Sequence, residues 1–240
     1  MKLFRRTDFS SLDSFLAPNK GLYDLIVYLY RAPILQSIKR AAPDLKGKLL
    51  DVGCGKKPYR SLLTVEKYTG IDVATSPHLS PDDDAIYDGK TIPFENSEFD
   101  SCICTEVLEH CAGPQGIVME IARCLKPGGA FFATVPFVIE HHEVPYDFTR
   151  FTSFGFRALC ENAGFEVIWL EDRGGLHPVV AKFLYDLAGS IVSRAPFLDI
   201  LLIPVWLFSR LLLATDGWRR REERITLGWQ IFCRKKIQSK

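Results

Sequence analysis

The sequence predicts an α/β fold built on a mostly parallel sheet with helices on both faces. Three observations carry that expectation. From residue 48 to about residue 173, short apolar runs alternate with stretches of helical periodicity, the pattern that buries a parallel sheet between two helical layers. The runs are too apolar for strands solvated on one side. The first of them ends directly in Gly53-Cys54-Gly55, at the carboxyl end of a strand, where open parallel sheets bind ligands.

The elements follow in order. Residues 22–42 read as two short helices broken at Pro33, the first amphipathic through Leu22, Leu25, Ile26 and Leu29. This makes 1–45 an N-terminal helical segment ahead of a main domain at 46–240, with Pro43 to Gly47 as the link. KLLDV is the first strand, and a helix is expected from about Pro58, because proline suits the first helical position. YTGIDV, DAIYD and FDSCICT read as strands, QGIVMEIARCL as a helix, GGAFFATVP as a strand, SFGFRALCENAG as a helix and FEVIWLE as a strand. The last strand falls within ITLGWQIFCRKK.

Before that strand the rhythm breaks. At 176–224 the chain carries an apolar helical insertion, with Phe183, Leu184, Leu187, Ala188, Ile191 and Val192 at helical spacing. The run after Pro196 is apolar all round, but only ten residues separate Asp199 from Arg210. A bilayer span needs about 20. Arg219, Arg220, Arg221 and Arg224 follow, as in interfacial anchors. Two readings of 196–224 stand side by side: peripheral membrane contact, or a helical pair packed on the sheet or between two copies in a homodimer.

Composition excludes several classes. The 240 residues include 30 Lys+Arg and 29 Asp+Glu, with 47% apolar residues, an ordinary globular mix that rules out collagen-like, low-complexity and disordered chains. The charge is uneven: net +5 over 1–48, −9 over 49–215 and +5 over 216–240. An acidic centre repels a phosphate backbone, so no nucleic-acid partner is expected. The seven cysteines form no CxxC pair and suit buried free thiols in a reducing compartment. The start, MKLFRRTDFSSLDSF, lacks the apolar core of a secretory signal. The expected location is cytoplasmic, with peripheral membrane contact open.

The strongest chemical signal is Asp51-x-Gly53-Cys54-Gly55. Glycines let the backbone turn sharply and approach a ligand. A dinucleotide loop would place a third glycine at Pro58, and a phosphate-binding loop would carry G-K-[ST], so the ligand lacks a pyrophosphate. Asp72 closes the second strand 17 residues after Gly55, where a carboxylate can accept bonds from ribose hydroxyls. Asp88 follows the third strand, within reach of an adenine amino group. Asp82, Asp83 and Asp84 lack the spacing of a calcium loop and read as solvated.

Together LLDVGCGKKPYR, GIDV, YDGKTIPFENSEFDSCICTEVLEH, RCLKPGGAFFATVP and FTSFGFRALCENAGFEVIWLE resemble the class I S-adenosylmethionine-dependent methyltransferases, of the type called methyltransferase domain 11. The resemblance implies a Rossmann-like, mostly parallel seven-stranded sheet, with S-adenosyl-L-methionine as cofactor. It lines the amino-acid part of the cofactor with Gly53 and Gly55, counts Asp51 and Cys54 among the cofactor-binding residues, and places Asp72 on the ribose, Asp88 towards adenine, and Thr105 and Glu106 near the methyl donor. The family often has a third loop glycine two residues after the second, where this chain has Lys57.

The acceptor is expected at the loop 137–152, FVIEHHEVPYDFTRFT, which is dense in groups that exchange protons. His141 or His142 is the expected base, with Asp147 orienting it. His110 of VLEH ranks below that pair. No metal is expected, since adjacent histidines seldom point at one centre and the i, i+4 pair is missing. The expected reaction moves a methyl group to oxygen, nitrogen or carbon of a small or lipid-linked acceptor. The alternative is a non-catalytic, membrane-associated scaffold on the same fold.

Overall fold

The structure is a computed structural model and describes residues 16–18, 21–22, 24–194, 200, 202–215 and 225–237. Two compact units divide the chain: a sheet unit, Gln36–Glu171 with Trp229–Lys240, and a helical unit, Met1–Leu35 with Asp172–Gly228.

The sheet has seven strands: β1 (Lys48–Val52), β2 (Lys67–Val73), β3 (Ala85–Tyr87), β4 (Phe99–Thr105), β5 (Leu125–Pro136), β6 (Phe165–Asp172) and β7 (Gly228–Lys235). Their spatial order is β3-β2-β1-β4-β5-β7-β6. The pairs β1–β2, β1–β4, β2–β3 and β4–β5 are parallel. The last strand runs the other way. Lys235 at its end bonds the Leu125 carbonyl at the start of β5, and Trp229 near its start meets Phe137 just past the end of β5. The order reverses between β1 and β4, and that switch point opens a crevice beyond the carboxyl ends of both strands.

Five α-helices have bounds among the described residues: α1 (Leu25–Ala41), α2 (Pro114–Cys124), α3 (Ser153–Asn162), α4 (Leu176–Arg194) and α5 (Leu202–Thr215). Pro114 opens α2, and the Thr152 hydroxyl accepts from the Gly155 N–H at the start of α3. Ile117, Val118 and Ile121 of α2 and Phe156 of α3 are buried in one core with Leu50 and Phe131 of the sheet. Each such side chain contributes about 2 kcal/mol relative to exposure. All seven cysteines are free, six buried and Cys111 half-buried.

Two local expectations are corrected. Residues 22–42 do not break at Pro33: α1 runs through it as one helix. An internal proline costs about 3 kcal/mol, and burial of Leu29, Ile34, Leu35 and Ile38 on both sides of it offsets that loss. No α-helix starts at Pro58. A 3-10 turn, Arg60–Leu62, and extended chain lead from the glycine loop to β2. The crossover must climb back along the sheet in few residues, and a 3-10 turn rises about 2.0 Å per residue against about 1.5 Å in an α-helix.

In the helical unit, α4 and α5 pack on each other. Phe183, Leu187 and Ile191 of α4 are exposed, as are Leu207, Phe208 and Leu211 of α5. Arg219, Arg220, Arg221 and Arg224 lie outside the described residues. Among the described residues no helix is long and apolar enough to cross a membrane. The unit's two chain ends meet: the Arg173 N–H donates to the Gly228 carbonyl at 2.9 Å and to the Thr226 hydroxyl at 3.1 Å.

Candidate active site

The loop after β1 is shaped by backbone geometry. Gly53 and Gly55 take φ of +71° and +46°, the left-handed region. A Cβ on Gly53 would stand 2.3 Å from Cγ2 of Val107, so only glycine fits there. The Gly53 and Cys54 N–H groups donate to the Ile71 carbonyl at 2.8 and 3.1 Å, which ties the loop to β2. Lys57, standing where the family often has its third glycine, also turns left-handed, at φ +51°. Its ammonium is anchored by Asp84 at 2.8 Å and by the Asp82 carbonyl. Burial works against the Asp84 charge, but Lys57 and the Gly70 N–H together hold that carboxyl below its ordinary range.

Two acids meet this loop. Asp72, at the end of β2, is buried; its Oδ2 accepts from the Gly55 N–H at 3.1 Å and from the Ser76 hydroxyl at 3.1 Å, and its Oδ1 accepts from the Val73 N–H at 2.8 Å. Desolvation still raises its pKa. Asp51, on β1, is buried and accepts from the Tyr68 hydroxyl through Oδ2. Its Oδ1 has no hydrogen-bond partner among the described residues. Desolvation pushes Asp51 up to about 7. The Cys54 thiol, raised by burial, donates to Asp83 at 3.2 Å.

The other residues expected to meet the cofactor lie at or just past the ends of β3 and β4. Asp88 is exposed after β3, and its Oδ1 accepts from the Thr91 and Lys90 N–H groups at 2.7 and 2.8 Å, bonds that keep its pKa low. Thr105 ends β4. Glu106, next to it, is left-handed at φ +55° and accepts from the Thr134 hydroxyl at 2.8 Å.

The loop after β5 is held by side chains. Arg150 clamps Asp147 through two bonds, at 2.5 and 2.7 Å, which drives the Asp147 carboxyl well below its usual range. Asp147 in turn accepts from the His142 backbone N–H at 3.1 Å and lies 3.5 Å from its ring Nδ1. His141 is exposed. The Glu109 carbonyl accepts from the Phe148 N–H at 2.8 Å, which pins the loop to the 3-10 turn Leu108–His110 after β4.

That turn brings in side chains which the linear spacing did not single out as a group. The His110 and His142 rings meet edge to face with centroids 4.7 Å apart. His110 Nε2 lies 3.8 Å from Oε1 of the fully buried Glu109 and 3.9 Å from Oε2 of Glu143. Glu143 Oε1 binds His78 Nε2 at 3.1 Å; this contact lowers the Glu143 pKa and raises that of His78. His78 also flanks the glycine loop, since a Cβ on Gly55 would lie 3.2 Å from its Cβ. The loops after β1 and β5 are therefore linked through His78. In the sequence, His78 stands alone between two turns, and only the fold carries it to Glu143.

Residues 50–133, about a third of the chain, match the family model described as the methyltransferase domain. The chain is 32% identical over 113 residues to a ubiquinone biosynthesis O-methyltransferase of Pectobacterium atrosepticum, a match covering 41% of this chain and 47% of that protein. The chain thus spans about half the length of the curated relatives it matches. Two solved structures share the fold at low identity. One is the cyclase SpnF, at 21% identity and TM-score 0.53, covering 87% of this chain and 82% of that one. The other is a Haemonchus contortus phosphoethanolamine N-methyltransferase in complex with S-adenosylhomocysteine, at 19% identity and TM-score 0.53, covering 95% and 60%.

Proposed function

We propose that this protein is an S-adenosylmethionine-dependent methyltransferase acting on a hydroxyl of a small or lipid-linked acceptor. One observation carries the reading: the buried Asp72 carboxylate accepts from the Gly55 N–H and so joins the glycine loop to the end of β2. The residues fit the cofactor in two further respects. Gly53 makes the left-handed turn, packed against Val107 with no room for a methyl, that lets main chain approach a ligand. The Asp51 Oδ1, without a hydrogen-bond partner among the described residues, is an acceptor suited to an ammonium. The choice of a hydroxyl follows the named activity of the O-methyltransferase relatives.

Bound S-adenosylmethionine supplies a methyl group on a sulfonium, open to displacement by an oxygen lone pair, with the C–S bond electrons passing to sulfur. The chain's own contribution is to hold and align. Asp51, Gly53, Cys54 and Gly55 would hold the amino-acid end, Asp72 the ribose and Asp88 the adenine edge, with Thr105 and Glu106 flanking the donor. In-line placement with water excluded supplies much of the rate. The proton leaving the acceptor hydroxyl passes to the histidine pair of the 137–152 loop, His141 or His142, with Asp147 fixing the loop through Arg150.

Calorimetric titration with S-adenosylhomocysteine tests this reading, with NAD as control. Micromolar binding is expected, weakened at least about 100-fold in Asp72→Ala, since bonds to charged groups are worth about 1.5–3 kcal/mol each. A folded chain that ignores S-adenosylhomocysteine would refute it.

A second reading concerns the helical unit, which we infer to be a peripheral membrane contact. Exposed Phe183, Leu187 and Ile191 on α4 and the arginines at 219–224 suit an anionic bilayer surface. The chain should float with phosphatidylglycerol vesicles, and Phe183→Glu with Leu187→Glu should abolish flotation. Equal flotation of both chains would exclude it.

A further inference from the structure

We propose that Glu109, His110 and His142 bind a divalent first-row metal ion, with Glu143 within reach as a fourth ligand. One donor atom from each of the three lies within 4.8 Å of the others. Sequence spacing hides this set, because the two histidines come from different elements, the turn after β4 and the loop after β5.

Hydrogen bonding fixes how the rings present themselves. His110 Nδ1 lies 2.7 Å from the Tyr146 carbonyl, and His142 Nδ1 lies 3.2 Å from the Glu140 carbonyl. A carbonyl only accepts, so each Nδ1 carries a proton and donates it. Each neutral ring then keeps its lone pair on Nε2. An imidazole with one nitrogen tied to a backbone carbonyl and the other left basic is the arrangement that supports metal ligation.

The spacing points the same way. His110 Nε2 sits 3.8 and 3.9 Å from carboxylate oxygens of Glu109 and Glu143. Charge-assisted hydrogen bonds close to about 2.7–2.9 Å, so these contacts are too long to be direct. Atoms bound about 2.0–2.2 Å from one ion stand roughly 3–4.4 Å from each other. Charge agrees as well, since the carboxylates of Glu109 and Glu143 both face His110, and the cation Arg150 is already clamped to Asp147. Imidazole and carboxylate donors without thiolate suit Mn(II), Fe(II), Co(II) or Zn(II) rather than calcium.

Cation binding stands on these residues alone; its use in methyl transfer rests on the function proposed above. There, an ion beside the acceptor would lower the hydroxyl's proton affinity. With His142 as a ligand, the exposed His141 is left to take the proton.

The test titrates the full chain, stripped with a chelator, with Mn(II), reading free Mn(II) by electron paramagnetic resonance. One equivalent should bind, and His110→Gln and His142→Gln should each weaken binding at least about tenfold, while His177→Gln leaves it unchanged. Spin-echo modulation from imidazole nitrogens on Mn(II) bound to the wild-type chain supplies a readout that needs no variant. Absence of that modulation, substoichiometric binding, or equal binding by folded variants overturns the proposal. S-adenosylhomocysteine titration of the same metal-free sample separates the two readings: binding there without Mn(II) binding defeats the ion site alone, and the converse defeats the methyltransferase reading alone.

Discussion

The loop after β1 is held by backbone N–H groups, left-handed residues and one lysine, whereas the loop after β5 is held by a lattice of ionisable side chains. The first is rigid because its dihedrals are set by Gly53, Gly55 and Lys57 and its donors are used by Ile71 and Asp72. The second depends on which groups are charged, through Asp147–Arg150 and His78–Glu143. A binding surface that recognises one invariant cofactor can be built from main chain. A surface that meets a variable acceptor and moves a proton needs groups that titrate.

Four measurements would break or sharpen that contrast. Gly53→Ala should have the largest effect. It combines left-handed strain of about 1–2 kcal/mol with overpacking of about 1–3 kcal/mol against Val107, so urea unfolding should show a loss of about 3 kcal/mol. A loss under about 0.5 kcal/mol would mean that the main chain does not set the loop.

Asp51 comes next. Its folded pKa, about 7, lies above its unfolded value, so the folded state binds more protons between about pH 4 and pH 7. Stability from this group is full below pH 4 and is lost as pH rises through 7. Urea unfolding should register a fall over that window, each unit of the shift being worth about 1.4 kcal/mol, and the fall should be missing in Asp51→Asn. Parallel profiles for the two chains would remove desolvation as the cause.

On the acceptor side, Asp147→Asn leaves Arg150 without its clamp and should cost about 2 kcal/mol, with faster amide exchange confined to 137–152. Exchange spread into β1 and β2 would show that the two loops are not independently built. The smallest effect compares two replacements of one residue. Both Lys57→Gly and Lys57→Ala lose the Asp84 contact, but only alanine keeps the left-handed strain, so the glycine chain should be more stable by about 1 kcal/mol. Equal stability would mean the turn at 57 is not strained.

These differences also explain what was legible in the sequence. The glycine loop is local: strand, glycines and the acid at the next strand end lie within 51–72, so pattern alone brings them together. The long apolar strands β4 and β5 were equally plain, because burial on both faces leaves no polar alternation. Pro33 misled, because local propensity cannot register the burial of Ile34, Leu35 and Ile38 that carries α1 through it. Pro58 misled, because a good helix-starting residue says nothing of the distance the crossover must cover. The grouping of Glu109, His110 and His142 with Glu143 and His78 depends on three loops that meet only beyond the sheet, and no spacing rule reaches across 65 residues.

The meeting of Arg173 with Gly228 has a consequence for how such proteins diversify. A Cβ at Gly228 would fall 2.0 Å from the buried Arg173 guanidinium, so the two ends of the excursion close on each other at one point where a side chain would displace that arginine. A segment that leaves and re-enters through a single stitched doorway can be lengthened, shortened or exchanged while the strands on either side keep their register. Evolution could then refit the intervening helices to new surroundings like interchangeable tooling on an unchanged machine.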